Sequence, residues 1–190
     1  MSNNTEQSAA PRTGGMIKIG EYLPDFKVSA LVGTNPEAEV KLGDYEGKWI
    51  CLYFYPLDFT FVCPTEIKAF SDAVPDFEDR ECVVLGGSCD SAFSHLGWVN
   101  AKEELKNLKH PLIADYTKEF SRALGILDEE KGVSQRATFL IDPQGIVRFI
   151  YVTDLNVGRS PEEVLRVLDA LQTDELCPCN WKKGEETLKV

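Results

Sequence analysis

Two rhythms of apolar residues run along the chain. Residues 49–55, W-I-C-L-Y-F-Y, are apolar or aromatic at every position, which predicts a strand covered on both faces, and Pro56 ends it. Further on, Ile67, Phe70, Val74 and Phe77 recur at helical spacing behind Cys63-Pro64-Thr65-Glu66. Pro64 suits a first helical position and Glu66 a first turn, so a helix is expected from Cys63, broken near Val74 by Pro75. Residues 82–87, C-V-V-L-G-G, predict a second buried strand. A helix of mixed polarity over 91–108, a short strand at 111–114 and a helical turn or two within 115–125 follow. Residues 137–141 and 146–152 read as strands joined by D-P-Q-G, a turn sequence that pairs them as a hairpin. Ser160-Pro161-Glu162-Glu163 caps a last amphipathic helix to Leu171. Ahead of the first strong strand, residues 17–32 carry a short alternation broken by Pro24 and Gly33, and residues 41–47 read as a polar turn.

Strand, helix, strand, helix, strand, then hairpin and helix describes an α/β fold with a central mixed sheet flanked by helices on both faces, a thioredoxin-like layout. One domain accounts for 190 residues. It is expected over residues 16–172, after a flexible lead-in at 1–15 and before a mobile tail at 173–190 that carries two cysteines. The 20 Lys and Arg against 31 Asp and Glu give a net charge of −11, which repels phosphate backbones and anionic lipid and argues against nucleic acid and membrane partners. No stretch approaches the ~20 apolar residues of a membrane span. The N-terminus lacks the basic and apolar regions of a secretory signal, so a cytoplasmic location is expected.

Six cysteines are too sparse for a disulfide scaffold and have to be sorted individually. Cys63 opens a helix, where unpaired backbone N–H groups and the helix dipole favour an anion, and it is the candidate nucleophile. Cys51 lies within a central strand, Cys82 opens another and Cys89 follows a strand end; all three are expected to pack as small hydrophobes, with Cys89 the one that retains some reactivity. Cys177 and Cys179 form Cys-x-Cys, which lacks zinc-knuckle spacing, and only His95 and His110 exist to complete a metal site, so no metal is expected. His95 is read as a packing residue. A Cys-His hydrolase is disfavoured because no elbow or partner acid surrounds Cys63.

Y-P-L-D-F-T-F-V-C-P-T-E, residues 55–66, resembles the peroxidatic-cysteine signature of the peroxiredoxins, Pro-x-x-x-Thr-x-x-Cys. S-H-L-G-W at 94–98, R-A-T-F at 136–139, D-P-Q-G, V-G-R at 157–159 and C-P-C-N-W near the end agree in order, so the resemblance covers about residues 17–188. It is to the alkyl hydroperoxide reductase C type of typical two-cysteine peroxiredoxin. It implies an elaborated thioredoxin fold, no prosthetic group, and reduction of hydrogen peroxide, organic hydroperoxides and often peroxynitrite.

By that resemblance Cys63 is the peroxidatic cysteine, Thr60 orients the peroxide, Pro56 shields the pocket and Arg136 faces thiolate and substrate. Glu66 and Arg159 match an ion-pair network behind Arg136, although from the residues alone a helix-cap Glu and a surface Arg account for them equally well. The product on Cys63 is a sulfenic acid, which a second thiol must trap before it is oxidised further. The resemblance places Cys177 as the resolving cysteine, in a disulfide with Cys63 of another protomer. Cys179 departs from the commoner pattern and matches an actinobacterial-type branch with three cysteines, so either tail sulfur can start resolution. The G-G-L-G stretch and C-terminal Tyr-Phe segment of easily overoxidised relatives are missing, which implies resolution that is fast relative to overoxidation. The implied reductant is a dithiol: thioredoxin, a flavoprotein disulfide reductase of the alkyl hydroperoxide reductase F type, or an adaptor of the alkylhydroperoxidase D type. The implied assembly is a homodimer and a ring of dimers. Two rivals remain: a thioredoxin-like dithiol-disulfide oxidoreductase, which needs the C-x-x-C that V-C-P-T lacks, and a redox-gated holdase or peroxide sensor without multiple turnovers.

Overall fold

The computed structural model describes residues 15–189, so the expected lead-in lies outside the described residues except for Gly15. In chain order the strands are β1 (Lys27–Val32), β2 (Asn35–Lys41), β3 (Trp49–Phe54), β4 (Cys82–Ser88), β5 (Leu112–Ala114), β6 (Leu127–Asp128), β7 (Val133–Ser134), β8 (Arg136–Ile141) and β9 (Val147–Thr153). The helices are α1 (Cys63–Asp72), α2 (Val74–Glu78), α3 (Ala92–Ala101), α4 (Glu119–Leu124) and α5 (Pro161–Thr173). Seven strands form one mixed sheet in the order β2-β1-β5-β4-β3-β8-β9, while β6 and β7 pair separately. β3 and β5 flank β4 in parallel, and the other pairings are antiparallel.

β3 sits between β4 and β8 with an apolar layer on each side, as its unbroken apolar run predicts. Cys51, Tyr53 and Tyr55 join Ile67, Phe70, Phe77, Trp98, Val164 and Leu168, contributed by α1, α2, α3 and α5. Ile50, Leu52 and Phe54 face the other way, onto Phe26, Phe120, Leu124, Phe139 and Val147, with α4 as the covering helix. Helices therefore lie on both faces, four of them on the side of Cys63. Tyr53 explains Gly86 directly opposite on β4: a Cβ there would come 2.6 Å from the Tyr53 hydroxyl oxygen.

The β8–β9 hairpin forms through D-P-Q-G as its sequence predicts. Asp142 Oδ1 accepts from the Gln144 and Ile146 amides, and Gly145 takes a φ of 83°, which its missing Cβ permits. The helix expected over 91–108 is shorter. Ser91 caps α3 by accepting from the Ser94 amide, but α3 ends at Ala101 and a single tight helical turn, Glu103–Leu105, follows. Lys102 is extended, with φ −109° and ψ 115°, which breaks the helical repeat there. The pattern also missed β2, N-P-E-A-E-V-K, whose polar residues mark an edge strand exposed along most of its length. Among the described residues no helix is long and apolar enough to cross a membrane.

Candidate active site

The turn from β3 into α1 carries Pro56 and Thr60 and ends on Cys63. Pro56 is buried immediately after the strand, and the Tyr55 amide prolongs the β3–β4 ladder by donating to the Gly87 carbonyl. α1 begins at Cys63 with Pro64 in its first turn, and Val62 supplies no side-chain cap, so the turn keeps N–H donors without a side-chain acceptor. Cys63 itself is 1% exposed.

Arg136 reaches the sulfur from the first position of β8. Its Nη1 donates to Cys63 Sγ at 3.3 Å and to Glu66 Oε2 at 2.5 Å, while its Nε donates to the Leu155 carbonyl at 2.8 Å. Glu66 lies one turn into α1, fully enclosed. Its Oε1 accepts from Arg159 N at 3.0 Å and Nε at 2.8 Å, and its Oε2 from Arg159 Nη2 at 3.1 Å. Arg159 Nη1 donates onward to the Ala137 carbonyl and Thr138 Oγ1 of β8, and its cation lies 5.5 Å from the centre of the Tyr53 ring. Of the two readings the residues left open, the structure selects the buried network: the Glu66 and Arg159 side chains are 1% and 0% exposed. Two guanidinium cations meet one carboxylate here, and an anionic sulfur at Cys63 would complete the neutralisation.

Thr60 donates its hydroxyl hydrogen to the Leu57 carbonyl at 2.9 Å, which leaves oxygen lone pairs to accept from a ligand O–H. The surrounding loop is apolar and exposed: Phe61 is 94% exposed, and Leu57 and Phe59 are also in solvent. Phe59 has a φ of 57°, a left-handed conformation in a bulky residue that only fixed surroundings support.

Sequence reasoning missed what fixes them. Asp58 is buried within this loop and accepts from Tyr55 Oη at 3.0 Å and Ser94 Oγ at 2.7 Å. His95 Nδ1 lies 2.8 Å from Asp58 Oδ2, and His95 Nε2 lies 3.0 Å from the Ile113 carbonyl oxygen. A carbonyl only accepts, so Nε2 carries a hydrogen. The Asp58 amide donates to Asp90 Oδ2 at 2.9 Å. His95 is thus a tie between loop, α3 and β5 as well as a packing residue. The only signals were a Tyr and an Asp three apart at 55 and 58 and a His in S-H-L-G-W at 94–98, with nothing in the sequence to join them.

The other cysteines separate by environment. Burial pushes Cys51 well up, Cys82 to about 12 and Cys89 up, in the last case with Ser121 Oγ at 3.5 Å. All six are free thiols; Cys177 is half-buried against α5 and Cys179 is exposed.

A thiol beside a guanidinium at a helix start can deliver a sulfur nucleophile. The model of the AhpC/TSA family matches residues 19–150. The chain belongs to that family. It is 47% identical to the alkyl hydroperoxide reductase C of Mycolicibacterium smegmatis over 186 residues, 92% of this chain and 95% of the relative. It is 49% identical to mouse peroxiredoxin-2 over 182 residues, 92% and 91% of the two chains. Among solved structures, the reduced 2-Cys peroxiredoxin of Plasmodium vivax superposes with a TM-score of 0.85 at 44% identity, covering 90% and 92%. AhpC of Mycobacterium tuberculosis does so at 0.80 and 42%, covering 88% and 100%. The chain is a peroxiredoxin of the alkyl hydroperoxide reductase C type, a thiol-dependent peroxidase with a thioredoxin-like fold.

Proposed function

We propose that this peroxiredoxin reduces hydrogen peroxide and organic hydroperoxides, with peroxynitrite as a further substrate, through Cys63, and that Cys177 or Cys179 of a second protomer resolves the product. The observation that carries the reading is the 3.3 Å contact of Arg136 Nη1 with Cys63 Sγ, held from behind by Glu66 and Arg159.

In the first step the Cys63 thiolate attacks one peroxide oxygen, the S–O bond forms as the O–O bond breaks, and the leaving oxygen departs as water or alcohol once protonated, or within nitrite when the substrate is peroxynitrite. Arg136 stabilises charge as it moves from sulfur to oxygen without giving up a proton. Thr60 accepts the hydroperoxide O–H and aligns it, and Pro56 keeps water from the sulfur. In the second step a tail thiolate attacks the Cys63 sulfenic sulfur, the S–S bond forms, and hydroxide leaves with a proton as water. A dithiol protein then reduces the disulfide, be it thioredoxin, a flavoprotein of the alkyl hydroperoxide reductase F type or an adaptor of the alkylhydroperoxidase D type. The working unit is a homodimer within a ring of dimers, located in the cytoplasm, with residues 16–172 as the peroxidase domain.

Peroxide consumption driven by a generic dithiol tests this in wild type and Cys63→Ser, with non-reducing gels of Cys177→Ser and Cys179→Ser after one equivalent of peroxide. Cys63→Ser is expected to abolish turnover, and at least one tail variant to lose the linked dimer. Continued turnover by Cys63→Ser would make Cys63 a structural residue and end the proposal.

A further inference from the structure

The tail expected to be mobile is folded back onto α5. Asp174, with φ 54°, turns the chain, and the Leu188 amide donates to the Leu176 carbonyl at 2.8 Å, closing residues 176–188 into a loop. Trp181, 3% exposed, plugs that loop, its indole N–H donating to the Glu185 carbonyl.

Arg166, Ala170 and Thr173 are spaced four and three apart, so they share one face of α5. All three touch the tail. Arg166 Nη1 donates to the Trp181 carbonyl at 3.0 Å. Cys177 Sγ lies 3.8 Å from the Ala170 carbonyl oxygen and 3.5 Å from Thr173 Oγ1. Glu163 fixes the guanidinium with both carboxylate oxygens at 2.7 Å. A second contact joins the exposed Lys183 to the buried carboxylate of Asp169 at 3.3 Å. In this arrangement the Cys177 S–H donates inward to a backbone carbonyl, while Cys179 faces solvent.

We propose that Arg166 is the positioning residue of the tail: its bond to the Trp181 carbonyl holds Cys177 against α5, and release of that bond gates the attack of Cys177 on oxidised Cys63. The inference rests on the reading of Cys177 as a resolving thiol. A half-buried sulfur whose S–H points at a helix carbonyl is turned away from an incoming partner. It must leave α5 and lose the proton before the S–S bond to Cys63 forms and the sulfenic S–O bond breaks, with the oxygen departing as water. Cys179 escapes this restraint, so the gate acts on one tail sulfur and not on the other.

The test uses the full chain in a Cys179→Ser background, comparing Arg166→Met, Arg166→Lys and Lys183→Met with the parent. Two rates are read: iodoacetamide alkylation of Cys177 in the reduced protein, and formation of the linked dimer after one equivalent of peroxide. Arg166→Met is expected to raise both by roughly fivefold to tenfold, the factor for one half-exposed hydrogen bond from a charged donor, while the rate of Cys63 oxidation stays as it was. Arg166→Lys should fall between, because an ammonium can still reach the carbonyl but cannot grip Glu163 with a planar fork. Lys183→Met should change either rate by less than about twofold. Unchanged or slower alkylation of Cys177 in Arg166→Met overturns the latch. If the linked dimer forms at full rate in a separate Cys177→Ser variant, the assignment of Cys177 falls and the gate with it; the alkylation rates show which of the two has failed.

Discussion

Replacing Glu66 by Gln tests the charge balance beneath the Cys63 sulfur. The substitution keeps shape and volume but removes the carboxylate that both the Arg136 and Arg159 guanidinium groups share. Glu66 accepts four hydrogen bonds, two at each oxygen. A Gln amide whose oxygen keeps the Oε1 partners sets its NH2 against Arg136 Nη1 and Arg159 Nη2, donor against donor. Two buried cations are then uncompensated, and breaking a buried pair in this way costs about 3–5 kcal/mol. For a domain of this size that lowers Tm by roughly 10 °C. Arg136 keeps its bond to the Leu155 carbonyl, so the guanidinium stays near Cys63 but loses its aim, and the rate constant for Cys63 with peroxide should fall about tenfold. Urea unfolding and single-turnover peroxide oxidation measure the two effects separately. The double variant Glu66→Gln, Arg159→Met should recover part of the stability, since removing a cation with its partner leaves less charge unpaired. A loss below about 1 kcal/mol with an unchanged rate constant would refute the reasoning, because it would mean the cluster is solvated and its charges are not coupled.

Burial lowers the His110 imidazole below its ordinary value; Nδ1 donates to the Pro111 carbonyl and Nε2 accepts from the Tyr53 hydroxyl, so the ring is held neutral. The unfolded chain therefore takes up this proton first, and the stability is full above the unfolded value and declines as pH falls through about 6.5; His110→Gln should flatten that part of the decline in urea midpoints, and equal slopes in the two proteins would count against it. Native alkylation at about pH 8 should label the exposed Cys179 first and Cys177 more slowly, and leave Cys51, Cys82 and Cys89 unmodified, because burial pushes those three thiols up. Peptide mass spectrometry reads this directly, and rapid labelling of Cys89 would show that its bond to Ser121 opens readily.

The parts of the fold legible in the sequence were those where one local signal sufficed. The run at 49–55, the Cys63-Pro64 helix start, D-P-Q-G and Ser160-Pro161 each set an element that the structure contains. β2 was not legible because its alternating apolar positions, Pro36, Ala38 and Val40, are few and small, and only Val40 is deeply buried. At the site, motif resemblance pointed to Cys63, Thr60 and Arg136, of which the structure brings Cys63 and Arg136 into contact, yet nothing local distinguishes Arg159 from a surface arginine. Its burial comes from Glu66, 93 residues earlier, and from β8. Asp58 and His95 were hidden for the same reason: their hydrogen bond spans 37 residues and exists only once α3 packs over the β3–α1 turn. Long-range pairing of charges is a property of topology, and a single sequence read in windows does not display it.

Alternation along β3 also partitions the tolerance of this protein to change. The face carrying Ile50, Leu52 and Phe54 meets hydrocarbon and aromatic rings alone, and volume-conserving exchanges there keep what that layer supplies, which is bulk. The face carrying Cys51, Tyr53 and Tyr55 supports a cation through the Tyr53 ring and an acid through the Tyr55 hydroxyl, so equal volume does not suffice. Neighbouring residues on one strand thus live under different rules. Sequence drift on one side of the sheet can retune heat resistance while the chemistry on the other side stays as it is.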